Sequence, residues 1–347
     1  MGVVDFCKIE TRDDLFSKDH LPKLLLLGPL LQQISVDGRN RRGFNTVPLT
    51  GDFPSLESLH IHRFPMPISN LHAPNLRSLK LIGELDLEDL LALFESSPLL
   101  ERLHFRVELY RNVSAGARRN IVLEKVKQAK FCLDAFEILQ YLLLPASNEI
   151  AINISGTQGN YTQLLSQALD GFPMCRQVQS MSFPSEGYHS QSALLKGPNG
   201  TLELVTGNIR NPTTFTTILR LLTQHSTKSI QELQLPNIHL SSFTDYDIVE
   251  GILQSLESLR SIRMDGASVS ACLFAQRVTR RYLPQLEEIA TRNPNFGALQ
   301  KFVQDRSKAG IPIRRLFIKN DTYTPMYTGA MKPLKDYVCD VHGLCGP

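Results

Sequence analysis

A six-residue pattern, L-x-x-L-x-L, recurs along this chain and limits its folding choices more than any other feature. Its clearest copies are Leu56-Glu-Ser-Leu59-His-Ile61, Leu76-Arg-Ser-Leu79-Lys-Leu81 and Leu100-Glu-Arg-Leu103-His-Phe105. Their first positions lie 20 and 24 residues apart, inside the roughly 20–29-residue period at which a short strand and its return segment repeat. A unit of that size cannot bury its apolar positions alone, so neighbours must stack and share one core.

Weaker copies extend the series. Leu31-x-x-Ile34-x-Val36 comes first, and Leu123-x-x-Val126 follows the clear copies with its last apolar position lost to Gln128. Ile152 with Ile154, then Val178-x-x-Met181-x-Phe183, then Leu202 with Leu204 mark further units. The second half recovers in Ile230-x-x-Leu233-x-Leu235, Leu259-x-x-Ile262-x-Met264, Leu286-x-x-Ile289 and Ile313-x-x-Leu316-x-Ile318. Between these strands the apolar period changes from two to 3.6. Asp86 is a good N-cap for a helix burying Leu87, Leu90, Leu91 and Phe94. Thr162 is placed to cap one with Leu165 and Leu169. Phe215, Ile218, Leu219 and Leu222 form one helical stripe, Val249, Ile252, Leu253 and Leu256 another, and Phe296, Leu299 and Val303 a third that Gly310 and Pro312 end. The proline-rich step from Leu56 to Leu76 leaves room for a loop only. Val107–Arg119 and Glu186–Gly200 read as loops or insertions.

The expected fold is therefore α/β: a leucine-rich-repeat solenoid of irregular strand-helix units, with parallel strands lining a concave face. Residues 1–30 form an N-terminal remnant or cap, residues 31–320 about twelve units, and residues 321–347 a C-terminal cap or tail.

The overall balance excludes several classes. A formal charge of +3 lacks the clustered excess of a dedicated nucleic-acid binder. Six scattered cysteines with no C-x-x-C pair suit a reduced, intracellular protein, cytoplasmic or nuclear. The first twenty residues are too charged for a signal peptide, and the greasy stretch Leu24–Leu31 is too short to cross a bilayer. No membrane or nucleic-acid partner is expected.

The phrases Phe53-Pro-Ser-Leu-Glu-Ser-Leu, Ala73-Pro-Asn-Leu-Arg-Ser-Leu and Ser97-Pro-Leu-Leu-Glu-Arg-Leu, with Ala309-Gly310-Ile311-Pro312-Ile313-Arg314-Arg315-Leu316, resemble the leucine-rich portion of the F-box-like protein family of mushroom-forming fungi. The resemblance runs from about residue 20 to the end. It implies a non-enzymatic scaffold, the substrate-receptor portion of a ubiquitin-ligase subunit, binding a protein partner on the concave face. In that family an F-box resembling L-P-x-E-[IL]-[LI] recruits a Skp1-type adaptor. No such motif precedes residue 31, and His20-Leu21-Pro22-Lys23 lacks the acidic residue. The expectation is a receptor half of a longer architecture, or a descendant that lost its adaptor module. The adaptor is then a partner only if an upstream F-box exists.

Motifs for chemistry are absent or isolated. No nucleophile elbow, phosphate-binding loop or dinucleotide fingerprint occurs, so no cofactor is expected. His60 and His62 face one side of a strand, with His104 at the equivalent place two units on, but no further ligand completes a zinc site. Cys339-x-x-His342-x-x-Cys345 likewise lacks a fourth ligand. Acidic pairs such as Glu287-Glu288 have no cleft around them. An enzyme concealed in a degenerate repeat fold, metal-dependent or otherwise, is the alternative reading. The constellation that stands out is basic. Lys80, Arg102, Arg106, Lys125 and Lys127 occupy concave positions of three successive units, and His60, His62 and His104 extend the patch. Such a cluster suits an acidic or phosphorylated protein segment.

Overall fold

Along Ser58–His62 every second side chain, Leu59 and Ile61, is buried while Ser58, His60 and His62 stay half-exposed, the two-residue alternation of a pleated strand with one wet face. That alternation, repeated, builds a mixed α/β protein. The computed structural model describes residues 8–12, 28–37, 49–62, 68, 70–110, 120–132, 136–139, 141–154, 165–166, 169, 172, 175, 177–183, 191–206, 212–226, 228–238, 240, 243–265, 267–275, 279, 282–320 and 329–345. The chain divides into two units, Met1–Phe172 and Pro173–Pro347.

In the first unit the main strands are β1 (Lys8–Arg12), β2 (Gln33–Asp37), β4 (Ser58–His62), β6 (Ser78–Asp86), β7 (Arg102–Tyr110), β9 (Gln128–Cys132) and β11 (Glu149–Asn153). They lie side by side in that order, and every neighbouring pair is parallel. Register aligns Ile34, Leu59, Leu79, Leu103, Ala129 and Ile150 in one buried row. Val36, Ile61, Leu81, Phe105, Phe131 and Ile152 form the next. Within this core Phe94 meets Phe105 edge to face and Phe105 meets Phe131 at a tilt, with ring centroids 5.5 and 5.9 Å apart.

Short strands β3 (Gly51–Asp52) with β5 (Leu71–His72), and β8 (Ile121–Val122) with β10 (Leu142–Leu143), make two smaller parallel pairs in the return segments. Helix α1 (Leu87–Ser96) starts where the sequence placed it. The Asp86 carboxylate accepts from the Glu88 and Asp89 amides at 2.8 and 3.4 Å, holding two of the amide donors left open at a helix start. A four-residue turn, α2 (Phe136–Leu139), precedes β10. The Thr162 cap lies outside the described residues, although Leu165 and Leu169 are buried as expected.

The leucine before each strand reaches the core through a one-turn bend. The Leu56, Leu76, Leu100 and Val126 amides each donate to the carbonyl three residues earlier, on Phe53, Ala73, Ser97 and Leu123, at 3.1, 3.1, 3.3 and 3.4 Å. This repeated bend corrects the reading of the fourth copy. Val126, not Leu123, is equivalent to Leu56, and Ala129 and Phe131 fill the two buried strand positions. Gln128 begins the strand rather than interrupting it. The next copy is likewise Ile150 with Ile152, not Ile152 with Ile154.

The second unit carries β12 (Ser180–Ser182), β13 (Gln191–Gly197), β14 (Gly200–Thr206), β15 (Glu232–Leu235), β16 (Ser261–Met264), β17 (Glu288–Arg292), β18 (Arg315–Asn320) and β19 (Asp340–Cys345). β12 and β15 to β19 are parallel neighbours in sequence order. β13 and β14 form an antiparallel hairpin attached to β12. The expected loop over Glu186–Gly200 is thus strand from Gln191, and Leu202 with Leu204 belong to a hairpin arm rather than a repeat. Gly197 is required there, since a Cβ would sit 2.5 Å from the Gln177 carbonyl oxygen. The ladder also runs beyond the expected repeat limits, through β1 before residue 31 and β19 after residue 320.

Three of the five parallel steps of this unit carry a helix where the apolar stripes predict one: α3 (Pro212–Ser226), α4 (Phe243–Ser255) and α6 (Phe296–Lys308). A fourth, α5 (Ala267–Phe274), is too short to show a clear stripe. Asn295 caps α6 by accepting from the Ala298 amide at 3.1 Å, and Gly310 follows its end at φ +77°. Within α6, Arg306 is fully buried and donates to the carbonyls of Tyr282, Leu283 and Leu286 at 3.0–3.1 Å. It satisfies the bend before β17, where Leu283 adopts φ +46°. Burial pushes this guanidinium down to about 10. No helix among the described residues is long and apolar enough to cross a membrane.

Candidate functional site

The pleat that buries Leu59 and Leu79 turns their neighbours to the other face of the sheet. Register then carries Ser35, His60, Lys80, His104, Lys130 and Ala151 into one line across β2, β4, β6, β7, β9 and β11. On either side run Ser58, Ser78, Arg102, Gln128 and Glu149, and His62, Ile82, Arg106, Cys132 and Asn153. Neighbours along each line are about 4.8 Å apart by strand spacing. Six of the eight residues singled out in the sequence therefore share one face: His60, His62, Lys80, Arg102, His104 and Arg106.

The remaining two do not share it as expected. Lys125 lies in the turn before β9. Lys127 stands one residue ahead of that strand and pairs with Glu101 at 3.5 Å, while Arg77 holds the same carboxylate at 3.2 Å. Glu57, Arg77, Glu101 and Lys127 form an alternating charge ladder along the strand starts, each amide bonded to the previous carbonyl at 2.8–2.9 Å. Sequence reasoning missed Lys130, which occupies the position equivalent to His60, Lys80 and His104. The three-residue slip in the fourth copy hid it. The alternation Ala129-x-Phe131 was the available signal.

The electrostatics of the line show in His104. Its imidazole is pushed down to about 4, first by burial, then by Lys130, Lys80 and His60. At neutral pH it is an uncharged hydrogen-bonding group between two ammonium groups. Lys130, Arg102 and Arg106 are exposed and Lys80 is half-buried. Among the described residues the ion pairs of this unit are His72 with Asp52, and Arg77 and Lys127 with Glu101. None of them involves Lys80, Arg102, Arg106 or Lys130. Four cations thus stand on neighbouring strands without ion-pair partners among the described residues, which concentrates positive charge on this face.

The corresponding face of the second unit is built differently. Its lines are Ser180, Glu232, Ser261, Glu288 and Arg315, and Ser182, Gln234, Arg263, Ala290, Phe317 and His342. Arg263 pairs with Asp265 at 3.3 Å and Arg315 with Glu288 at 2.9 Å. Ser261 donates to Glu288 at 3.0 Å and Gln234 to Asp265 at 3.4 Å. A depression of about 420 Å³ lies over this face. Glu288 lines it, which corrects the expectation that Glu287-Glu288 has no cleft. Within the segment Cys339 to Cys345, His342 stacks on Phe317 with centroids 5.0 Å apart and planes at 12°. No group of three or more His, Cys, Asp and Glu side chains among the described residues is arranged to hold a metal.

The chain matches no protein-family model, and no curated protein matches it. What the arrangement can do rests on these two faces.

Proposed function

We propose that this protein is a non-enzymatic interaction scaffold of the leucine-rich-repeat solenoid type, and that the strand face of its first unit captures an acidic or phosphorylated segment of a partner protein. The observation that carries this reading is the line in which uncharged His104 lies between Lys80 and Lys130, with Arg102 and Arg106 beside it, four cations held by register and in no ion pair among the described residues. Arginines there suit bidentate contacts to carboxylate or phosphate, and the lysines supply point charge. An array of exposed and half-exposed side chains without a nucleophile motif suits recognition rather than turnover. The resemblance to fungal F-box-like receptors points the same way: a substrate-receptor portion of a ubiquitin-ligase subunit, intracellular, joined to a Skp1-type adaptor when an F-box is present.

The test is direct binding of a fluorescent peptide of alternating Glu and phosphoserine to the full chain. The wild type should bind it, more weakly as salt rises, because the contacts are screened charges. The triple variant Arg102→Glu, Arg106→Glu, Lys130→Glu, all at exposed positions, should lose at least tenfold in affinity while keeping its fold, since exposed substitutions usually cost within about 0.5 kcal/mol each. Equal binding by the two proteins would refute the reading.

A further inference from the structure

The depression in the second unit has a definite shape and polarity. In the line Arg263, Ala290, Phe317 the middle side chain is only a methyl, so a gap opens between a guanidinium and an aromatic ring. Arg263 and Phe317 stand two strands apart, about 9.6 Å at the usual spacing. One ring sandwiched between two side-chain surfaces needs roughly 7–8 Å at ordinary carbon contact distances. Phe317 is held for such a contact. His342 stacks on one of its faces, and register leaves the other toward Ala290. A ring over Ala290 would stack on Phe317 and meet Arg263 as a cation–π partner.

One residue-pair further along the same strands, Arg292 and Lys319 are direct neighbours and both line the depression. Their side-by-side placement is fixed locally. Asn293 turns the chain at φ +47°, and its amide donates to the Lys319 carbonyl at 2.9 Å. The acidic groups nearest the gap are engaged: Asp265 by Arg263, Glu288 by Arg315. Lys319 is exposed at that end and enters no ion pair among the described residues, so it offers a positive charge to an anion.

We propose that this depression is a binding site for the C-terminal aromatic residue of a peptide, its ring between Phe317 and Arg263 above Ala290 and its terminal carboxylate on Lys319. A volume of about 420 Å³ falls in the usual range of small-ligand sites, roughly 300–1,000 Å³. The serines and Gln234 on the far side of the gap offer hydrogen bonds to the peptide bonds that precede such a residue. The site is separate from the basic line of the first unit and stands without it.

The probe is acetyl-Gly-Ser-Gly-Phe with a free carboxylate, titrated into the full chain by calorimetry beside its C-terminal carboxamide. The free acid should bind saturably and the carboxamide at least tenfold more weakly. Ala290→Phe, which fills the gap, and Lys319→Glu, which reverses the charge, should each lose tenfold or more. Lys80→Glu with Lys130→Glu in the first unit should change nothing. Circular dichroism accompanies each variant, and Lys319→Glu carries the test if Ala290→Phe unfolds. Absent binding, equal binding of acid and carboxamide, or loss through the first-unit variant would overturn the proposal.

Discussion

The two units present the same kind of strand face with opposite economies of charge. In the first unit, cations at the central line meet histidines and serines, and Lys80, Arg102, Arg106 and Lys130 stay out of the ion pairs. In the second, Arg263 and Arg315 are each tied to a carboxylate on the same face. Yet both units share one scaffold logic: a buried pair of apolar rows, a one-turn bend before the strand, and alternating acid and base at the strand starts. Arg77 with Glu101 and Arg314 with Glu287 are counterparts in that last respect. The comparison teaches that the buried rows fix the strands and the outward positions are then free to diverge.

The largest effects should come from what differs beneath the faces. In the first unit the core runs through phenylalanines in mutual contact, so Phe105→Ala should cost about 3–5 kcal/mol by cavity formation. In the second, Arg306→Met takes a donor from three buried carbonyls at once; that of Leu283 keeps the Leu286 amide, while those of Tyr282 and Leu286 lose their side-chain donor. With each orphaned group worth about 1–3 kcal/mol, a loss of about 2 kcal/mol or more is expected, even after relief of the desolvated charge. Urea unfolding of the full chain measures both. A near-neutral Arg306→Met would show that the bend before β17 does not depend on its clamp.

Thr291 sharpens the contrast at smaller scale. It occupies a buried row whose other members are Leu235, Met264 and Ile318, and its hydroxyl is buried with no hydrogen-bond partner among the described residues. Thr291→Val should therefore gain about 1 kcal/mol, read as a raised melting temperature. Arg263→Ala, which removes an exposed arm of an ion pair, should cost at most about 1 kcal/mol and leave acidic-peptide binding by the first unit unchanged.

Most strands were legible because Leu, Ile and Phe at a fixed spacing advertise a buried row. Legibility failed where a small residue took a row position. Ala129 replaced a leucine, the fourth copy slipped by three residues, and Lys125 and Lys127 were placed where Lys130 belongs. The hairpin of β13 and β14 was missed because Ser- and Gly-rich flanks, including the obligatory Gly197, read as a loop. Helices α3, α4 and α6 were plain from their stripes, whereas α5 is too short to display one. The depression over Ala290 was not readable at all. It exists only because Arg263, Ala290 and Phe317, each 27 residues from the next, fall into one line once register is known.

Acid should separate the units more finely. His104 is depressed in the folded first unit, so the unfolded chain takes up its proton first. Its contribution to stability is complete above about pH 6.5 and declines as pH falls toward about 4. A bound anion opposes that depression and should raise the His104 midpoint.

The most direct measurement is the proton NMR titration of His104, assigned by its loss in His104→Gln, with and without the phosphoserine-glutamate peptide. The free protein should titrate near pH 4, and saturating peptide should move the midpoint up toward the ordinary histidine value of about 6.5. A free midpoint already at the ordinary value, or one that the peptide leaves in place, would contradict a cationic line built to receive an anion.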